Sequence, residues 1–167
     1  GKEKIALKYR DALRKTDVPA LVYLMLFLHD LGKADGVQGH CERGVEVAEP
    51  ILERMGIEKN MREQVVFMVR NHLEMVRFSM RFDLDDPEVI AAFAAKVKDT
   101  QTLRFLYVLT FCDARGTSVD LWNEYKDNLL TQLYRNTIDL LENKQPDDQG
   151  ERRKNLLARI TDRIPEE

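Results

Sequence analysis

Apolar residues recur along most of this chain with the three-to-four spacing of amphipathic helices, and alternating strand patterns are nearly absent. Residues 2–15 form one such segment, ending near Thr16-Asp17. Pro19 suits the first turn of a second helix running to about Asp30. Its body, Leu21-Val22-Tyr23-Leu24-Met25-Leu26-Phe27-Leu28, is apolar on every side and reads as buried. Gly32, Gly36 and Gly39 mark a loop. A helix follows from about His40 to Met55, with Pro50 inside it as an expected kink and Gly56 as its stop. The next helix covers about 58–78. Asp86-Pro87-Glu88 is a strong helix start, and that helix ends near Lys98. Thr100 is expected to cap a helix over about 101–114, stopped by Gly116. Thr117 or Ser118 is expected to cap a long helix to about Asn143. Residues 145–150 read as a linker, and 151–162 as a short, highly charged helix. The pattern predicts an all-α bundle of about seven or eight helices.

Composition narrows the class. The 167 residues suffice for one domain with a real core, and 44% hydrophobic with 33% charged residues reads as globular. A formal net charge of -3 argues against a nucleic-acid surface. Two cysteines, Cys41 and Cys112, without CxxC spacing, make no disulfide framework and suggest a reducing cytoplasm. The apolar run at 20–28 is too short to span a bilayer, so a membrane partner is not expected. The start at Gly1 and the charged end at Glu167 suggest a segment of a longer protein.

Chemistry enters where polar residues fall on apolar faces. His29-Asp30 ends one of the most apolar stretches and is followed by Leu31-Gly32-Lys33. Burying both groups unpaired would cost about several kcal/mol, and a divalent cation that takes both as ligands removes that cost. His72 shares a stripe with Val65, Val69 and Val76. Asp113 follows Leu106, Leu109 and Thr110 on another, and Asp is seldom buried unpaired. His40 opens a helix beside the glycine loop. Each has an ordinary explanation. A lone histidine on an apolar face is more often a satisfied core residue, His40 alone could be a first-turn residue, and Lys33 a solvated loop lysine. Arg104 or Arg115 could pair with Asp113. Together these accidents would have to account for all three histidines of the chain. The methionines at 55, 61, 68, 75 and 80 read as core and gap-filling residues.

His-Asp-x-Gly-Lys after an apolar helix, with a later His and a later inward Asp, resembles the HD superfamily of metal-dependent phosphohydrolases. Within it, residues from about Leu26 to Tyr134 are similar to the HD domain of bifunctional uridylyltransferase/uridylyl-removing enzymes. The stretches that carry this are His29–Lys33, His40 with Glu42 and Gly44, Asn71-His72-Leu73, Asp86–Ile90, Ala92-Phe93-Ala94, and Leu106–Thr110 with Asp113. Leu121-Trp122-Asn123, Leu129-Leu130 and Gln132-Leu133-Tyr134 complete the match. The last group is not metal chemistry, and it makes the narrower resemblance specific.

The resemblance implies an HD domain over 1–144, with its core at about 19–144, and 145–167 leading toward further domains. It implies one or two divalent ions (Mn, Mg, Fe or Zn) held by His29, Asp30, His40, His72 and Asp113, with Asp30 as the bridging carboxylate. With a single ion, His40 and His72 would instead orient the ligands. Lys33 would neutralise a phosphate oxygen. The family's early histidine has no counterpart before His29 and is expected upstream of Gly1, so that this segment alone is expected to lack full activity. The implied reaction is hydrolytic removal of UMP from a uridylylated tyrosine of the PII nitrogen-regulatory protein. The implied companions are a nucleotidyltransferase domain upstream and ACT domains downstream. The alternatives are an HD hydrolase acting on a free nucleotide (an alarmone, a cyclic dinucleotide or a deoxynucleoside triphosphate) and a catalytically silent regulatory module.

Overall fold

The structure, a computed structural model, describes residues 2–117 and 122–143. Eight α-helices and one 3₁₀ turn follow in chain order: α1 (Lys2–Arg14), α2 (Leu21–Leu28), the 3₁₀ turn (Leu31–Asp35), α3 (His40–Arg54), α4 (Lys59–Asn71), α5 (Glu74–Arg81), α6 (Pro87–Val97), α7 (Thr100–Thr117) and α8 (Glu124–Asn143). There is no strand among the described residues. The all-α bundle expected from the periodicity is what forms. The expected linker at 145–150 and helix at 151–162 lie outside the described residues.

α7 is the central helix because its middle is apolar on every side. Leu103, Phe105, Leu106, Tyr107, Val108 and Leu109 are all buried, and a helix without a polar face must be surrounded. It packs against α1, α2, α4, α5, α6 and α8. α1 belongs to the same core through Tyr9 and Ala12.

Several local expectations are corrected. α2 is shorter than expected, so His29 and Asp30 lie just beyond it, in the turn leading to the 3₁₀ segment. It is also buried on one side only. Leu21, Val22, Met25 and Leu28 face the core, while Tyr23 and Phe27 are 72% and 74% exposed. α4 and α7 pack on it, and they cover one face. The glycine loop begins as the 3₁₀ turn rather than as irregular chain, and Lys33 lies on that turn.

The helix expected over 58–78 is two helices, broken at His72-Leu73. Its halves have different partners: α4 packs on α3 and α2, whereas α5 packs on α8. The core stripe therefore shifts beyond the break. Met75, Phe78 and Ser79 are buried and Val76 is exposed. Among the methionines, Met68 and Met75 are core, Met61 is partly buried, and Met55 and Met80 are exposed.

Helix ends differ from expectation where a neighbouring side chain caps better. Asp99, not Thr100, caps α7: its Oδ1 accepts from the Thr102 N–H at 2.7 Å. Gly116 does not stop α7, which runs through it to Thr117. That excludes Thr117 as the cap of α8, Ser118 lies outside the described residues, and Asn123 takes the role by accepting from the Lys126 N–H at 2.9 Å. Two ends are as expected. Asp86 Oδ1 accepts from the Glu88 N–H at 2.8 Å with Pro87 at the first position of α6. Gly56, at φ +68°, ends α3 in a Schellman arrangement, with Ile57 N–H to Leu52 O and Gly56 N–H to Glu53 O.

Candidate metal centre

Two glycines place the His29-Asp30 turn against α3. A Cβ on Gly32 would stand 2.0 Å from the His40 carbonyl oxygen and 2.5 Å from the Gly44 nitrogen. Only hydrogen fits there, so the turn and the first coil of α3 touch backbone to backbone. Arg43 then fastens the loop. Its Nε donates to Gly32 O at 3.2 Å, one Nη to Gln38 O at 2.8 Å, and the other Nη to Gly36 O. The guanidinium's fixed fork of donors suits three carbonyls of one curved segment. One cue to this clamp stands in the sequence, an arginine in the first turn of a helix that follows a glycine-rich loop, but apolar periodicity does not reveal it.

The structure brings His29, Asp30, His40, His72 and Asp113 together. Each histidine comes from a different element: His29 beyond α2, His40 at the start of α3, His72 at the end of α4. All three are held in the same way. Each Nδ1 lies at hydrogen-bond distance from the carbonyl three residues earlier: His29 from Leu26 O at 2.7 Å, His40 from Val37 O at 2.7 Å, His72 from Val69 O at 2.9 Å. A carbonyl can only accept, so Nδ1 carries the proton, and in a neutral ring Nε2 is a bare lone pair. A backbone acceptor on the far nitrogen is how metal-binding histidines are usually oriented.

Those Nε2 atoms converge. His40 Nε2 is 3.3 Å from His72 Nε2. His29 Nε2 is 3.3 Å from Asp113 Oδ1 and 3.3 Å from Asp30 Oδ2. Asp30 reaches across to the other pair, with Oδ1 3.7 Å from His40 Nε2 and 3.6 Å from His72 Nε2. Asp30 Oδ1 is buried and has no hydrogen-bond partner. Two potential donor groups result, His29/Asp30/Asp113 and His40/Cys41/His72, with Asp30 between them.

This donor set fits divalent cations. Two nitrogens at about 2.0–2.1 Å from one ion stand about 3.0–3.4 Å apart, the separation seen between His40 and His72. A cation would satisfy the orphaned Asp30 oxygen and remove the repulsion between facing lone pairs. Cys41, which has no CxxC partner, stands in the second group with Sγ 3.6 Å from His40 Nε2.

Electrostatics divides the centre into unlike halves. Burial opposes a charge on His29, but Asp113, the Leu26 carbonyl and Asp30 outweigh it and raise the pKa above the ordinary value. The hydrogen bond with His29 holds Asp113 below the usual carboxylate range, against burial. Burial lowers His72, and His29 adds to this. Burial, then Glu42 and Asp30, pushes the Cys41 thiol up. Lys33 donates to Asp30 Oδ2 at 2.6 Å from a half-exposed position. Neither Arg104 nor Arg115 is the observed partner of Asp113. Arg104 bonds Thr100 and Glu142 instead.

Two surface cavities lie elsewhere. One of about 600 Å³ runs between α3 and α4, and one of about 230 Å³ is lined by Val76, Met80, Trp122 and Leu130 among others. None of the five convergent residues lines either, so donor chemistry rather than volume marks the site. Trp122 and Tyr134 are not part of it. Trp122 Nε1 donates to Asp127 Oδ1 at 3.2 Å, and Tyr134 stacks on Tyr107 with ring centroids 4.2 Å apart. No helix among the described residues is long and apolar enough to cross a membrane.

The chain is similar to curated proteins described as bifunctional uridylyltransferase/uridylyl-removing enzymes. It is 43% identical to that of Thiobacillus denitrificans over 118 residues, 71% of this chain and 14% of the relative. It is 41% identical to that of Azotobacter vinelandii over 125 residues, 75% of this chain and 14% of the relative. The Burkholderia thailandensis protein is 38% identical over 133 residues, 80% of this chain and 15% of the relative. The chain thus spans about a seventh of the length of the curated relatives it matches. No family model matches it. No solved structure matches it.

Proposed function

Given that this chain is a relative of one segment of the bifunctional uridylyltransferase/uridylyl-removing enzymes, we propose that it is the metal-dependent phosphodiesterase unit of such an enzyme. Its reaction is hydrolysis of the bond between UMP and a tyrosine of a PII-type regulatory protein. The observation that carries this reading is Asp30: its two oxygens face two different donor pairs, and the one toward His40 and His72 is buried without a partner.

His29, Asp30 and Asp113 would hold one divalent ion, and His40, His72 and Asp30 a second. Such ions supply charge that polarises a phosphoryl group and lowers the pKa of a bound water toward neutrality. The chain's own residues supply position. The three Nδ1–H bonds fix the imidazoles, and the Gly32–α3 contact fixes Asp30 relative to His40. Lys33 Nζ, within reach of Asp30 and open to solvent, neutralises a non-bridging phosphate oxygen. Water adds to phosphorus, the bond from phosphorus to the tyrosine oxygen breaks, and UMP and tyrosine result. A phenol of free pKa near about 10 leaves with little help from a general acid.

The test is UMP release from a uridylylated PII-type protein, with Mn²⁺ supplied, by the polypeptide extended upstream to include the expected early histidine. Release that disappears in Asp30→Ala supports the proposal. Metal binding without release shifts the substrate to free nucleotides. Neither metal nor release leaves the regulatory module.

A further inference from the structure

We propose that Cys41 is a metal ligand that makes one half of this centre selective for thiolate-binding cations such as Zn²⁺. The inference rests on the metal reading above and goes beyond it, because it adds a sulfur donor and distinguishes the two halves.

Cys41 Sγ lies 3.6 Å from His40 Nε2. Its 3.9 Å approach to His72 is to Nδ1, the nitrogen held by Val69 O, so His40 is the imidazole whose lone-pair nitrogen the sulfur approaches. Sulfur at about 2.3 Å and nitrogen at about 2.1 Å from one tetrahedral ion stand about 3.6 Å apart. The two imidazoles beside it are buried, with side-chain exposures of 6% and 1%, and their Nε2 atoms face each other. The buried, unpartnered Asp30 Oδ1 faces the same two nitrogens. This half therefore offers one sulfur, two nitrogens and one oxygen, a set that suits tetrahedral Zn²⁺ better than Mg²⁺. The other half offers His29 with two carboxylates, an oxygen-rich set that Mn²⁺ also accepts. On binding, the thiol proton leaves to solvent and the sulfur lone pair goes to the ion. The alternative is that Sγ–H only donates weakly to His40.

Cobalt substitution of the full 167-residue chain separates these. A thiolate bound to Co²⁺ gives a near-ultraviolet sulfur-to-metal charge-transfer band, apart from the visible bands that any bound Co²⁺ shows. The band should be present in the wild type and in Cys112→Ser, and lost in Cys41→Ser. Zn²⁺ affinity in Cys41→Ser should fall by at least the roughly tenfold that loss of a ligand's orienting partner costs, with Mg²⁺ affinity unchanged. Cobalt bound without the sulfur band overturns the role of Cys41 and leaves the metal centre standing. No cobalt bound by the wild type overturns both. Should Cys41→Ser fail to fold, the band in Cys112→Ser still decides, because the chain has two cysteines.

Discussion

His40 and His72 turn their Nε2 atoms toward each other across 3.3 Å while their Nδ1 protons are committed to backbone carbonyls. Without a cation, two lone pairs repel or one buried ring must take up a proton, which burial disfavours at His72. Metal binding should therefore stabilise the fold. At a free Mn²⁺ or Zn²⁺ concentration one hundred times the dissociation constant, the gain is about 2.7 kcal/mol. Calorimetric melting with and without the ion measures it. Asp30→Ala should abolish the gain, and a wild-type melting temperature indifferent to every divalent cation would contradict the metal centre.

Asp113 and Lys33 should separate by what they lose. Asp113→Ala removes a ligand and the hydrogen-bond partner of His29, so both metal content and UMP release should disappear. Lys33→Ala should slow turnover with metal content intact, since its proposed contact is to substrate. Metal analysis of purified variants beside the release assay distinguishes them. A fully active Asp113→Ala variant would sink the proposed site.

Gly32 and Gly44 touch across the turn–α3 junction but should respond unequally to a methyl group. In Gly32→Ala the new atom meets backbone at 2.0 Å, so at least the roughly 1–3 kcal/mol of an overpacked core is expected. In Gly44→Ala it meets a Val69 methyl at 3.0 Å, and the helix gains up to about 1 kcal/mol of propensity. Urea denaturation should rank Gly32→Ala as clearly the less stable. Equal losses would show that the junction is not the tight point.

Four of the five convergent residues are legible because they break a pattern: His29-Asp30 ends an apolar run, and His72 and Asp113 interrupt apolar stripes, whereas His40 is marked only by its place beside the glycine loop. What stayed hidden depended on partners distant in sequence. The break at His72-Leu73 leaves the apolar spacing almost undisturbed and arises because α5 packs on α8. The exposure of Tyr23 and Phe27 depends on which neighbours reach α2. Arg43 acts on carbonyls, which no side-chain pattern reveals. Cys41 was read by its spacing to the other cysteine, whereas its neighbours are histidines.

Alkali should unfold the protein through buried tyrosines. Burial, with Tyr107 and Asp127 adding, pushes Tyr9 far up, and burial pushes Tyr107 up to about 12. A phenol whose folded pKa is raised ionises first in the unfolded chain. The stability it contributes is full below about 10 and falls as pH rises from there toward 12. Tyrosinate absorbance should show these two groups titrating only with the loss of helix by circular dichroism. Their ionisation in a still-helical protein would contradict the burial.

Asp127→Ala should destabilise strongly although it lies outside the candidate centre. The carboxylate accepts from Lys8 Nζ, from Tyr9 Oη at 2.7 Å and from Trp122 Nε1 at 3.2 Å. The loss should fall below the roughly 3–5 kcal/mol of a fully buried broken pair, because Lys8 is 29% exposed and can regain water. Chemical denaturation measures it, and a loss under about 0.5 kcal/mol, the usual range of a surface change, would refute the network.

That same carboxylate joins residues 118 and 119 positions apart in the chain. Closing so long a loop costs entropy before any contact compensates it. The docking of α1 onto α7 and α8 is therefore expected to come late in folding. Substitutions at Tyr9 or Asp127 should then speed unfolding far more than they slow folding. On that expectation, the lifetime of the folded chain would be governed where α1 meets α8, by residues other than the five convergent ones.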